Sequence, residues 1–463
     1  MSTLKVYAPY DQSLIKELPL QSSEEMHALL KKAYNLFLDR SKWLEKHERI
    51  TILEKIARLM EERSEEIIRT SAQEGGKPWN DTKAEMDRAI NGVKLAIENI
   101  GHHKGEEVPM GQTAASVGRM GFTFREPIGV VASISAFNHP INLIIHQTIP
   151  AIAVGSPVII KPAPTTPLTC LLLTDIFKEA GLPEGWCEAL ICDNEVAQEL
   201  VTDPKVNFFS FIGSSKVGWY LRSKLAPGTR CALEHGGAAP VIVEPDADFE
   251  SMMPALVKGG YYHAGQVCVS VQRVFVHESI LDQFTEEMTK QVKEVKTGDP
   301  LNEDTEAGPL ILPKEVDRVE EWVNEAVKKG AKLLCGGKRI SDTCYEPTLI
   351  LNPPTDTKVS QQEIFGPVVC IYSYSDMQEA IKRANDIPYH FQASVFTKNI
   401  DQALDAVHRL NAAAVMVNDH TAFRVDWMPF AGRDESGLGI GSIPDTMHDV
   451  SRQKLMVIKS AAL

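Results

Sequence analysis

The spacing of apolar positions divides the chain into a helical opening, two alternating α/β stretches and two β-rich flanks. From 24 to about 98, apolar residues recur at three- and four-residue intervals: Leu29, Leu30, Ala33, Leu36 and Phe37 in one run, Ile52, Ile56, Leu59 and Met60 in another. That period turns one face of each segment towards a core and predicts three amphipathic helices. Gly75-Gly76-Lys77-Pro78 divides the second from the third, since proline cannot continue a helix. Between 108 and 126, small, polar and apolar residues alternate with glycines, which predicts a long hairpin standing off the core.

The next stretch alternates β-branched runs with helical ones. Strands are predicted at 129–134, 157–161, 188–192, 206–211 and 230–233, and helices at 168–179, 196–201 and 217–225, with another beginning near Pro140. Short β-α units in series imply a parallel, doubly wound sheet with helices on both faces. A second series starts near Val241, with helices at 249–257, 281–295 and 316–328 and strands at 273–276, 391–396 and 413–417. The stretch 454–459 alternates as a strand. No internal repeat or low-complexity tract interrupts the pattern.

At 463 residues the chain exceeds one ordinary core, so two or more domains are expected. The formal net charge is −14 with no long Lys/Arg cluster, which disfavours nucleic acid as a partner. Eight cysteines without a C-x-x-C pair point to reduced thiols and a cytoplasmic setting. Residues 1–9 have neither an apolar signal core nor an Arg-rich presequence. The longest apolar run, 141–160, is broken by Asn142, His146, Gln147 and Pro150, so no membrane span is expected.

Three places carry candidate chemistry. Gly265-Gln266-Val267-Cys268 offers a thiol, and Leu233-Glu234-His235-Gly236-Gly237 ends an apolar strand in a carboxylate. Phe137-Asn138-His139-Pro140 places an amide between a strand and a helix. Alone, each has a plainer reading: a packed Cys, a solvated Glu, a capping Asn. Together they supply a nucleophile, a base and an oxyanion donor, which acyl chemistry through a thioester requires.

These motifs resemble those of the aldehyde dehydrogenase family, in that family's order and over nearly the whole chain. Gly-Gln-x-Cys matches the nucleophile motif, and Glu-His-Gly-Gly-Ala-Ala-Pro resembles Glu-Leu-Gly-Gly-x-x-Pro with His235 in place of Leu. Phe-Asn-His-Pro stands where Trp-Asn-Phe-Pro is usual, so His139 is a second departure. Lys161-Pro162, Phe211-Ile212-Gly213-Ser214 and Glu363-Ile364-Phe365-Gly366-Pro367 resemble the cofactor motifs, and Pro429-Phe430-Ala431-Gly432 and Ser436-Gly437 extend the match.

The resemblance implies an α/β aldehyde dehydrogenase-like fold. Its Rossmann-like cofactor domain would comprise 1–107 and 127–236, its catalytic domain 237–447, and its β oligomerisation extension 108–126 and 448–463. It implies NAD(P)-dependent oxidation of an aldehyde to its acid, with Cys268 as nucleophile, Glu234 as base and Asn138 as oxyanion donor. Ile134, Lys161, Gly213, Ser214, Gly218, Gly236, Glu363 and Phe365 are the implied cofactor contacts, and no metal is expected. Pro164 occupies the place of the Glu that bonds the ribose 2′-hydroxyl in many NAD-using members, which leaves both NAD and NADP open.

A CoA-acylating relative would keep Cys268 but has no need of a base for water. A thiol hydrolase would pair Cys268 with His263, and a non-catalytic protein on this fold would need none of the three groups. For the substrate, His139, His420 and Arg424 are the candidate contacts, and Val267 and Val269 suit a short chain. An Arg fork suits an anionic group. The alternative for Arg424 is a structural pair with Asp419 or Asp426. The expected partners are a short, polar or anionic aldehyde and a second copy of the chain, as homodimer or homotetramer.

Overall fold

Four helices, not three, build the opening stretch of the computed structural model, which describes residues 2–463. They are Ser23–Leu38, Lys46–Glu62, Ser64–Gly75 and Trp79–His102. The extra break falls at Arg63, whose backbone leaves the helical region (φ −106°, ψ 18°). Apolar spacing did not show it, because the segments on either side bury Ile56, Met60, Ile67 and Ile68 in one core. A hairpin of Thr3–Tyr7 and Leu14–Pro19 precedes the helices. Its strands alternate charged and apolar residues over too few positions to stand out.

The first sheet has six strands in the order Gly437–Leu438, Arg230–Glu234, Val206–Ile212, Val130–Ile134, Val158–Lys161 and Cys187–Ala189. Its five main strands run parallel, and only the short Gly437–Leu438 edge is antiparallel. Ile159 and Ile160 are wholly buried, as expected of a strand covered on both faces. Strand pairing at Cys187–Ala189 ends earlier than the 188–192 expected, and Leu190, Ile191 and Cys192 instead pack as buried loop.

The second sheet orders seven strands as Lys332–Cys335, Thr348–Leu351, Val368–Tyr374, Val271–His277, Ala239–Val243, Gln392–Phe396 and Ala414–Val417. Three of these were not expected from the pattern, as were not the helices Met377–Asn385 and Ile400–Arg409. Val368–Tyr374 lies near the centre with six of its seven residues buried, so it shows no alternation for the eye to catch.

The hairpin expected at 108–126 has unequal arms: Glu107–Val108 pairs with only Phe122 and Gly121 of the long strand Arg119–Pro127. The principal partner of that strand is Ser451–Lys459, antiparallel over nine residue pairs. Before reaching it, the chain returns to the first sheet. Helix Ile443–Asp449 sends Ile443 and Met447 into the same core as the opening helices. No helix among the described residues is long and apolar enough to cross a membrane.

Candidate active site

The catalytic candidates come from the carboxyl end of the first sheet, where Asn138 follows Val130–Ile134 and Glu234 ends Arg230–Glu234, and from the amino end of the second, where Cys268 precedes Val271–His277. Asn138 follows the strand Val130–Ile134 and precedes helix Asn142–Val154. Its Nδ2 donates to the Gln266 carbonyl at 2.9 Å, which ties the first sheet to the turn carrying Cys268. That turn is braced from the other side by Gln266. Its amide donates to Pro309 O at 3.1 Å and accepts from Ile311 N at 2.9 Å.

Gly265 is required here: φ is +67°, and a Cβ would sit 2.2 Å from the Gly366 carbonyl. The Gly-Gln-x-Cys and Glu-x-Phe-Gly-Pro segments are therefore docked backbone to backbone. Glu85 fixes the entry to the Asn138 loop. Its Oε1 accepts from Ile141 N and Asn142 N, both at 2.8 Å, while its Oε2 accepts from buried Lys77 at 2.8 Å.

Cys268 is half-buried, with Val267 and Val269 packed beside it and Phe391 and Phe430 in the same cluster. Burial pushes its thiol up to about 12, with the Glu363 and Glu234 carboxylates adding to the effect and Arg424 opposing it. Glu234 ends its strand with Gly441 packed against its carboxylate. Burial raises its pKa, and Arg424 pulls it back.

Arg424 lies between its two expected roles, a substrate contact and a pair with Asp426. Its side chain is only 11 % exposed, and its nearest carboxylate is Asp426 at 3.9 Å, beyond hydrogen-bond reach. Asp426 is already taken by Arg88 (2.7 and 3.2 Å), His146 (2.8 Å) and Asn142 (3.2 Å). The Arg424 Nε has no partner, and the guanidinium lies over the Phe430 ring at 3.5 Å. Its field reaches both Glu234 and Cys268. A buried cation with an unfilled donor thus faces the reacting groups.

His139 is also drawn in. Its ring stands edge-on to His263 at 6.3 Å, and burial, followed by Lys77, holds its pKa well below 6.5. Both His263 nitrogens lack partners, so His263 is not paired with Cys268. His420 turns back into its own loop, with Nδ1 accepting from Ala422 N at 3.1 Å. Arg88 was not singled out from the sequence, because one Arg on an amphipathic helix reads as a solvated charge. Its contact with Asp426 crosses 338 residues and carries no local signal.

The candidate cofactor residues line the adjoining cleft. Lys161 is buried with one weak bond, to Pro162 O at 3.3 Å, so its ammonium keeps free donors. Glu363 accepts only from Gly237 N at 3.1 Å, and its carboxyl lies against Gly236; burial pushes its pKa up to about 8. Phe365 meets Phe137 edge-on at 5.8 Å. Ser214 leads into helix Ser215–Arg222, whose first turn presents free N–H groups. Unfilled donors on Lys161 and a lone acceptor on Glu363 fit a ribose-bearing nucleotide.

His235 joins this cleft to the base. Gly213 N donates to Glu234 O at 3.1 Å, and the His235 Nδ1 lies 2.9 Å from Gly213 O. Its ring packs between Phe211 and Trp219 and lies so close beneath Gly218 that a Cβ there would sit 2.0 Å away. A Leu at this position has no donor for that carbonyl. Among the described residues no group of three or more His, Cys, Asp or Glu is arranged to hold a metal.

A doubly wound sheet beside a second α/β sheet, with a thiol, a carboxylate and an amide brought in from the two, is the arrangement of a cofactor-dependent oxidoreductase of aldehydes. Residues 1–456 match the aldehyde dehydrogenase family, and the chain belongs to it. It is 36 % identical over 456 residues to the 3-sulfolactaldehyde dehydrogenase of Priestia megaterium, covering 98 % of this chain and 94 % of that one. Aldehyde dehydrogenase 21 from Physcomitrella patens, solved with the reaction product succinate, superposes with a TM-score of 0.96 at 34 % identity, covering 99 % and 95 % of the two chains. The glyceraldehyde-3-phosphate dehydrogenase GapN of Methanocaldococcus jannaschii, solved with NADP, gives 0.94 at 36 % identity, covering 99 % of each. The activity is NAD(P)-dependent oxidation of an aldehyde.

Proposed function

We propose that the protein oxidises a short aldehyde carrying an anionic group to its carboxylic acid, with Cys268, Glu234 and Asn138 doing the chemistry and Arg424 holding the anion. The observation that carries this is the buried Arg424 guanidinium, whose Nε bonds nothing, whose nearest carboxylate is Asp426 at 3.9 Å, and whose charge acts on both Glu234 and Cys268. The similar proteins support it: the substrates and product in their names bear a sulfonate, a phosphate or a second carboxylate. Arg88 occupies both oxygens of Asp426, so Arg424 keeps only a long ion pair to that carboxylate and no hydrogen bond.

Cys268 releases its proton to solvent, and the thiolate attacks the aldehyde carbon to give a thiohemiacetal. Asn138 Nδ2 donates to the resulting oxyanion, an interaction worth roughly 3–4 kcal/mol in comparable sites. When bound, NAD(P)+ supplies the hydride acceptor, held by Ile134, Lys161, Gly213, Ser214, Gly218, Gly236, Glu363 and Phe365. Cys268 then carries the acyl group as a thioester. Glu234 takes a proton from water, whose oxygen bonds the acyl carbon and releases the acid and the thiol. A base beside the thioester favours hydrolysis over transfer to a second thiol. Pro164 places no carboxylate at the ribose, which admits a 2′-phosphate as well as a hydroxyl.

The first sheet with its helices forms the cofactor domain in this reading, and the second sheet forms the catalytic one. The three-stranded extension pairs subunits into a homodimer or homotetramer. Eight free thiols support a cytoplasmic setting. A panel of aldehydes with NAD and NADP, followed through reduced nicotinamide, tests the substrate. Arg424→Ala should raise KM for the anionic aldehyde about tenfold or more over its effect on a neutral one of equal length. Equal losses on both would make Arg424 a support for Glu234.

A further inference from the structure

A second basic site lies away from the active site, at the root of the extension. A cavity of about 130 Å³ opens between helix Lys46–Glu62, the end of helix Trp79–His102 and strand Arg119–Pro127. Lys46, Arg49, His103 and Arg125 line it, and no carboxylate does. Its volume is well above the roughly 15 Å³ that one water needs. None of Lys46, Arg49 and Arg125 forms an ion pair within 4.0 Å among the described residues. Three permanent cations thus line one cavity that no carboxylate lines.

Two nitrogens facing this region are buried and bond nothing: Arg49 Nε and His103 Nε2. Burial and the fields of Arg125, His448, Lys46 and Arg49 push the His103 pKa down to about 4. The imidazole is therefore neutral at pH 7 and can donate one N–H. The carbonyl end of helix Asn142–Val154 also reaches the cavity, which by itself repels an anion. Arg49 Nη1 already donates to Ala153 O there at 2.5 Å and offsets that charge. Arg125 is oriented by Ser451 Oγ at 3.2 Å and by His448 at 3.1 Å, with no acid to neutralise it.

We propose that this cavity binds a small tetrahedral oxyanion, inorganic phosphate or sulfate, through Lys46, Arg49, His103 and Arg125. The occupant clamps the base of the extension to the helix that runs back to the Asn138 loop. Charge-assisted bonds to two Arg forks are the expected mode. The site is independent of the substrate reading, since none of its residues lines the cleft around Cys268.

Thermal unfolding of the Arg424→Ala protein with saturating NADP removes competition from the substrate and cofactor sites. Phosphate or sulfate at about 10 mM should raise Tm by about 3 °C over chloride of equal ionic strength. Both anions also stabilise proteins non-specifically, so the decisive comparison is with variants. Lys46→Gln, an exposed side chain that bonds nothing, should lose at least half of the shift, and Lys46→Gln with Arg125→Gln all but the non-specific part. Titration calorimetry of the folded Lys46→Gln protein with phosphate should show weakened binding to match. An undiminished shift in these variants, or no excess over chloride in the parent, overturns the proposal.

Discussion

Protonation of two residues sets the conditions under which the thiol reacts. Burial first, then the Glu363 and Glu234 carboxylates, hold the Cys268 proton on up to about pH 12, so the thiolate fraction grows with rising pH throughout the working range. Alkylation by iodoacetamide in the cofactor-free protein should accelerate about tenfold per pH unit between roughly 7 and 10. Glu363, raised to about 8, is neutral below that pH and repels the thiolate only above it. Glu363→Gln should therefore match the parent below pH 8 and be alkylated faster above it. A flat profile, or a divergence confined to low pH, would contradict the assignment. At Glu234 the test is a burst: Glu234→Gln should release close to one reduced cofactor per site, then turn over about 100-fold more slowly as thioester accumulates. Absence of the burst would move Glu234 to activation of Cys268.

Elements show where sequence reading succeeds. The five main strands of the first sheet and most helices were legible because β-branched runs and helical periods alternate cleanly there. The candidate site was legible as three separate motifs, but not its joints. Arg88, Glu85 and Gly441 act through contacts distant in sequence, and Arg63 breaks a helix without breaking its apolar stripe. His235 was visible as a departure, while its bond to Gly213 was not. That bond links the strand carrying Glu234 to the loop before helix Ser215–Arg222. Removing it in His235→Leu costs roughly 1 kcal/mol, or about a fivefold rise in KM for NAD(P). His235→Asn, which keeps a donor near the Nδ1 position, should recover most of the loss. An unchanged KM in the Leu variant would make the ring a packing group alone.

On the scale of the whole molecule, the three-stranded sheet ends in an open edge. Leu455, Met456, Val457 and Ile458 are 43–50 % exposed, and Ser451–Lys459 is an unpaired edge of its sheet. Such an edge is a ready template for another strand. Light scattering at micromolar protein should give two or four chains, and Val457→Asp should lower that number. A monomeric parent would refute the assembly.

The bond from Asn138 to Gln266 also has a consequence in time. Each sheet can acquire its own strands without the other, yet the amide and the thiol meet only after both are built and joined. During refolding, helical circular dichroism should therefore recover ahead of dehydrogenase activity. A newly made chain would carry an idle cysteine until its two halves close on each other.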